Sequence, residues 1–141
     1  MARKKAMYEV KDEGRDKGKV FILTEMSASQ AELWAARALL AIGREGINIP
    51  EGIEKMGFSA IATFGLNMVM KLPFDTAEFL LGEMFKCVQI IPNPANKEFS
   101  RDLVEDDIEE ITTRVKLRKA VFDLHADFLM AAAQLTSAPN S

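Results

Sequence analysis

The run from Glu105 to Gln134 contains neither glycine nor proline, and it constrains the fold more than any other stretch of the chain. A segment free of both breakers can continue as one helix. Acidic residues Glu105, Asp106, Asp107, Glu109 and Glu110 crowd its start, where the helix dipole favours negative charge. Arg114, Lys116, Arg118 and Lys119 come later, and Glu110 and Arg114 have the spacing of a helical ion pair. Ile108, Val115, Phe122 and Leu129 recur at heptad spacing, with Ile111, Leu117, Val121, Leu124 and Phe128 widening the stripe. The pattern predicts a long C-terminal helix packed on the domain or on a partner helix.

Upstream, the punctuation is denser. Val20, Phe21, Ile22 and Leu23 form a run of strand formers, preceded by Arg15-Asp16-Lys17 between Gly14 and Gly18. Met7 to Val10 and Lys19 to Thr24 read as the two arms of a β-hairpin. A lone hairpin is marginal in water, so it must pack on helices or pair with another chain. Ser29-Gln30-Ala31-Glu32 fits a capping box, and Gly43 is a natural helix stop. Ala31, Trp34, Ala35, Ala38, Leu39 and Ile42 share one face of that helix, with Trp34 expected in the core at the helix–hairpin junction. A short helix is expected from Pro50 to Met56, and an apolar one from Ser59 to Lys71. Another, opened by Asp75-Thr76-Ala77-Glu78, is expected to run to about Val88. Pro92 and Pro94, with Asn93 and Asn96, call for an irregular connection. The predicted fold is therefore mainly α: one helical domain over residues 1–135, a small N-terminal hairpin over about 7–24, a long C-terminal helix, and a flexible tail over 136–141.

Bulk composition narrows the function. The 141 residues suit a single domain, and 48% apolar with 28% charged residues is ordinary for a globular chain. A net charge of −3 argues against nucleic acid as a partner. The single cysteine, Cys87, lies in an apolar stretch and reads as a small buried hydrophobe in a reducing compartment. No signal-peptide core follows Arg3, Lys4 and Lys5, and the apolar run Phe58–Met70 is too short to span a bilayer and carries Asn67. The expectation is an intracellular chain with no membrane partner.

Candidate chemistry is sparse. His125 is the only histidine, so it cannot build a usual zinc site with one distant cysteine, and no adjacent nucleophile accompanies it. A structural or interfacial histidine is the better reading. Asp106-Asp107 and Glu109-Glu110 lack the spacing and the central glycine of a calcium loop. Gly43, Gly46, Gly52 and Gly57 precede no Gly-Lys-Ser/Thr, so they make no phosphate loop. No catalytic residue, metal ligand or cofactor is expected. Methionine is the anomaly: there are eight, and Met56, Met68, Met70 and Met84 lie among Phe58, Phe64, Phe74, Phe79 and Phe85. Pliable thioethers beside aromatic rings make an adaptable apolar surface, more than one small domain readily hides. Phe74, Phe79, Met84 and Phe85 are the expected partner contacts.

The run Arg15-Asp16-Lys17-Gly18-Lys19-Val20-Phe21-Ile22-Leu23-Thr24-Glu25-Met26 leads into Ala28, Gln30-Ala31-Glu32, Trp34-Ala35 and Arg37-Ala38-Leu39-Leu40-Ala41. Cys87-Val88-Gln89-Ile90, Leu117-Arg118, Val121-Phe122 and Leu124-His125 follow. Over residues 15–128 this pattern resembles the tail assembly chaperones of tailed bacteriophages and prophages. The resemblance implies a non-enzymatic protein of the host cell cytoplasm. It would bind the long helical tape measure protein before the tail tube polymerises, and help recruit tail tube subunits. Pairing of the Lys19–Thr24 strand with a second copy would make it a homo-oligomer. The competing expectation is a permanent structural component of a phage tail or head–tail connector.

Overall fold

The computed structural model describes residues 3–46, 65 and 67–125. Near the N-terminus, β1 (Lys5–Glu9) and β2 (Val20–Thr24) pair antiparallel, Lys5 opposite Thr24 and Glu9 opposite Val20. The hairpin is as the run of strand formers predicts. Its loop turns through Gly14 and Gly18, with φ of 146° and 88°, conformations that a Cβ disfavours. A side chain at Gly14 would also collide with the Glu110 carboxylate.

The hairpin does not stand alone. Val88–Ile91 forms β3 against β2, with Phe21 opposite Ile90, and Arg101–Asp102 forms β4 against β3. The result is a four-stranded antiparallel sheet in the order β1-β2-β3-β4. The fold is thus an α+β arrangement and not the mainly α domain with a small hairpin that the sequence predicts. The reason is local ambiguity. Val88-Gln89-Ile90-Ile91 is too short to show a period, and it directly follows a helix. What decides is the open edge of β2, whose outward amides and carbonyls find partners in β3: Thr24 donates to the Cys87 carbonyl at 2.9 Å. Because β2 is paired on both edges, the expected pairing of Lys19–Thr24 with a second copy is also overturned.

Helical residues at 65 and 67–69 and three further helices complete the described fold. α1 (Ala28–Arg44) is capped by Ser27, whose side chain accepts the Gln30 N–H at 3.3 Å, and not by Ser29. It runs past Gly43. α2 (Phe74–Phe85) follows Pro73, with Asp75 in its first turn, and stops short of the expected Val88. α3 (Ile111–Leu124) begins after the acidic cluster, within which Glu105–Asp107 is a 3-10 turn. The helix expected from Glu105 is shortened because those acids and their amides are committed elsewhere. Arg101 donates two bonds to Asp107, at 2.8 and 2.9 Å, and Asp107 also accepts the Val104 N–H at 2.7 Å. The Glu109 and Glu110 amides donate to Asp16. Glu110 turns its carboxylate to the Asp16 N–H, and Arg114 lies over Phe85 in place of the predicted pair.

Continuation of α3 to Gln134, the tail over 136–141, the helix from Pro50 and the start of the one from Ser59 all lie outside the described residues. The predicted heptad face is also revised. Ile111 and Val115 are exposed, whereas Thr113, Leu117, Val121 and Phe122 are buried. The bond that the Thr113 hydroxyl donates to buried Asp16 holds that side of α3 inward.

The core lies between the helices and one sheet face. Phe21, Leu23, Val88 and Ile90 share that face by strand alternation, and they cluster with Leu80, Met84, Leu117 and Val121. Each such side chain contributes about 1.5–3 kcal/mol by leaving water. Trp34 sits among the helices: its indole N–H donates to the Leu80 carbonyl at 3.0 Å, and its ring meets Phe122 edge-on at 5.5 Å. The indole thus keeps its polar atom satisfied while burying its full face.

Candidate protein-binding surface

The four residues expected to contact a partner come from α2, and the fold separates them. Ala77, Leu80 and Met84 form the inward face of α2. Met84 is only 2% exposed. It is therefore a core residue and not a surface contact. Phe74 is 75% and Phe79 42% exposed, while Phe85 is half-buried. The sequence could not sort them, because Phe79 stands among the polar residues Asp75, Glu78 and Glu83 while Phe74 and Phe85 border the apolar side, so the types alone do not tell which ring faces solvent.

Phe79 lines a cleft of about 740 Å³ between α1 and α2. The Arg37 guanidinium lies over its ring, 4.0 Å from the centroid. Leu33 and Leu40, 69% and 71% exposed, flank Arg37 on α1 at helical spacing. The face of α1 expected to be buried is the buried one, with Ala31, Trp34, Ala35 and Ala38 all inward. Leu33 and Leu40 are then left outward, the complement of a stripe that the sequence did show.

Phe74 lines a second cleft, of about 560 Å³, on the side of α2 that faces α3. Met70, 68% exposed, and Leu72 and Leu81 extend its apolar lining, with Glu78, Arg114 and Arg118 as its charged groups. Arg114 and Arg118 both lie over the Phe85 ring, at 4.2 and 4.7 Å from its centroid. Neither has a carboxylate ion pair among the described residues. The buried Nε of Arg118 has no hydrogen-bond partner among the described residues. Burial, and then the neighbouring Arg114, hold the Arg118 pKa below the usual arginine value. Two stacked guanidinium groups beside apolar walls can take a carboxylate together with a bulky apolar side chain. Sequence reading missed this pair. Its only signal was the helical spacing of Arg114 and Arg118, which alone reads as a solvated face.

The remaining reactive groups are structural. The Nε2 atom of His125 accepts the Met26 N–H at 2.8 Å. The ring proton therefore sits on Nδ1, which donates to the Val121 carbonyl at 2.8 Å. Both ring nitrogens are committed, and the histidine ties the segment before α1 to the end of α3. Cys87 is buried, and that burial pushes its thiol up to about 11. Asp16, fully buried, accepts bonds from Lys19, the Glu109 and Glu110 amides and the Thr113 hydroxyl, so none of its capacity is spare. Among the described residues no group of three His, Cys, Asp or Glu is placed to hold a metal ion, and no helix is long and apolar enough to cross a membrane.

No protein-family model matches the chain, and neither a curated protein nor a solved structure does.

Proposed function

We propose that this chain is a non-enzymatic chaperone that covers an amphipathic helix of another protein, and that its client is the tape measure protein of a phage tail. One observation carries the binding role: α2 presents Phe74 and Phe79 to solvent, each in an apolar cleft with arginine on its wall. Exposed phenylalanines beside exposed Leu33, Leu40 and Met70 exceed the scattered apolar residues of an ordinary surface. The clefts ask for a client with bulky apolar side chains, and the arginines ask for acidic residues among them. A tape measure protein, a long helix that must stay unaggregated until the tube forms around it, has that need. The resemblance to the tail assembly chaperones over residues 15–128 suggests the particular client, tail tube subunits as a second partner, and the host cell cytoplasm as the site of action.

Recovery of the tape measure protein with the tagged chain tests this reading. Phe74→Asp and Phe79→Asp together should cut recovery by roughly tenfold or more, because buried aromatic anchors carry most of an interface's energy. Both side chains are exposed, so the variant should melt with the parent. Undiminished recovery would remove α2 as the binding surface. Mass spectrometry of purified virions distinguishes an assembly factor, absent from the particle, from a permanent tail or connector component.

A further inference from the structure

We propose that β1 is a pairing edge for a second copy of this chain, the two β1 strands running antiparallel about a two-fold axis through Met7. The edge is open. The Glu25 amide donates to the Lys4 carbonyl and the Val10 amide to the Lys19 carbonyl, each at 2.9 Å. Alternation then turns Ala6 and Tyr8 toward β2, and it turns the amides and carbonyls of Lys5, Met7 and Glu9 outward. The first three residues of β1 and its last are solvent-exposed. The opposite edge, β4, has two residues and is bound up by the Arg101–Asp107 pair, so it offers no comparable template.

The side chains select the occupant. Lys5, Met7 and Glu9 share one sheet face, and neither Lys5 nor Glu9 has an ion-pair partner among the described residues. A lysine on an edge normally discourages pairing. Here the segment Lys5-Ala6-Met7-Tyr8-Glu9 reads as its own complement when reversed. Pairing centred on Met7 sets each Lys5 opposite the other copy's Glu9 and each Met7, 52% exposed, against its counterpart. Directly opposed charges of unlike sign and a matched apolar pair both stabilise antiparallel strands. The outward amides and carbonyls find partners in the same step, and the two sheets become one of eight strands, twice the four of a single chain. A parallel partner, or an acidic or basic strand, would leave at least one like-charged or unmatched pair.

Sedimentation equilibrium of the full chain at low salt reads the outcome. A five-residue edge is a small interface, so the dimer should be sought up to about 0.5 mM. Met7→Pro removes an amide that β2 does not use, so it should give a monomer with unchanged circular dichroism. Lys5→Glu and Glu9→Lys should each be monomeric, their equimolar mixture should dimerise, and the double variant should dimerise like the parent. These positions are exposed, so the charge series stays informative even if the proline variant fails to fold. A parent that is monomeric throughout, or a dimer indifferent to these charges, overturns the proposal.

Discussion

Asp16 shows what one buried carboxylate can organise. Reaching in from the hairpin loop, it accepts the Glu109 and Glu110 amides just before α3 and the Thr113 hydroxyl in its first turn, so the start of a helix far along the chain is tied to the first loop. Burial alone would raise its pKa. The Thr113 hydroxyl, the Glu109 and Glu110 amides and Lys19 outweigh that and bring it from 3.8 to about 2. The folded protein thus binds this proton less readily than the unfolded chain. The resulting stability, about 2 kcal/mol, is present above pH 3.8 and is lost as pH falls through about 2. Urea unfolding as a function of pH should show this acid limb, and Asp16→Asn should flatten it while lowering stability at neutral pH. Cys87 makes a second prediction at this scale. With its thiol buried and pushed up to about 11, it should ignore a thiol reagent at pH near 8 in the native protein. One equivalent should react once urea unfolds the chain. Rapid native labelling would mean that the end of α2 opens readily.

At the scale of elements, the start of α1 separates a motif from a bond. Ser29 heads a capping box on paper, yet Ser27 is the residue whose side chain accepts the Gln30 amide. Ser27→Ala should cost about 1 kcal/mol of stability in urea denaturation, while Ser29→Ala, at an exposed position within the first turn, should change it by less than about 0.5 kcal/mol. The reverse order would restore the sequence reading. The hairpin and the buried face of α1 were legible because the run of strand formers in Val20–Thr24 and the alanine spacing around Trp34 are local signals. β3 and β4 were not. Four residues after a helix and two residues after a proline-rich loop carry no period, and their strand character comes from the ladder they join. The acidic cluster misled for a related reason. The dipole argument holds for a helix start, but Arg101 and Asp16 had already claimed the groups concerned.

For the whole molecule, the sequence by itself determined that apolar side chains, and α2 above all, would be numerous enough to leave some outside. It determined too that one histidine and one cysteine are all there are, because both follow from residue types alone. Which of those side chains face solvent was decided only in three dimensions. Burial on a helix with as many bulky apolar groups as α2 depends on what packs against it. The sheet and α3 drew in Met84 and Leu80, and left Phe74 and Phe79 in their clefts. Tertiary structure likewise brought Arg114 and Arg118 onto Phe85 and gave Asp16 its role. These contacts join residues far apart in the chain, and no local pattern encodes a partner that the fold has yet to deliver.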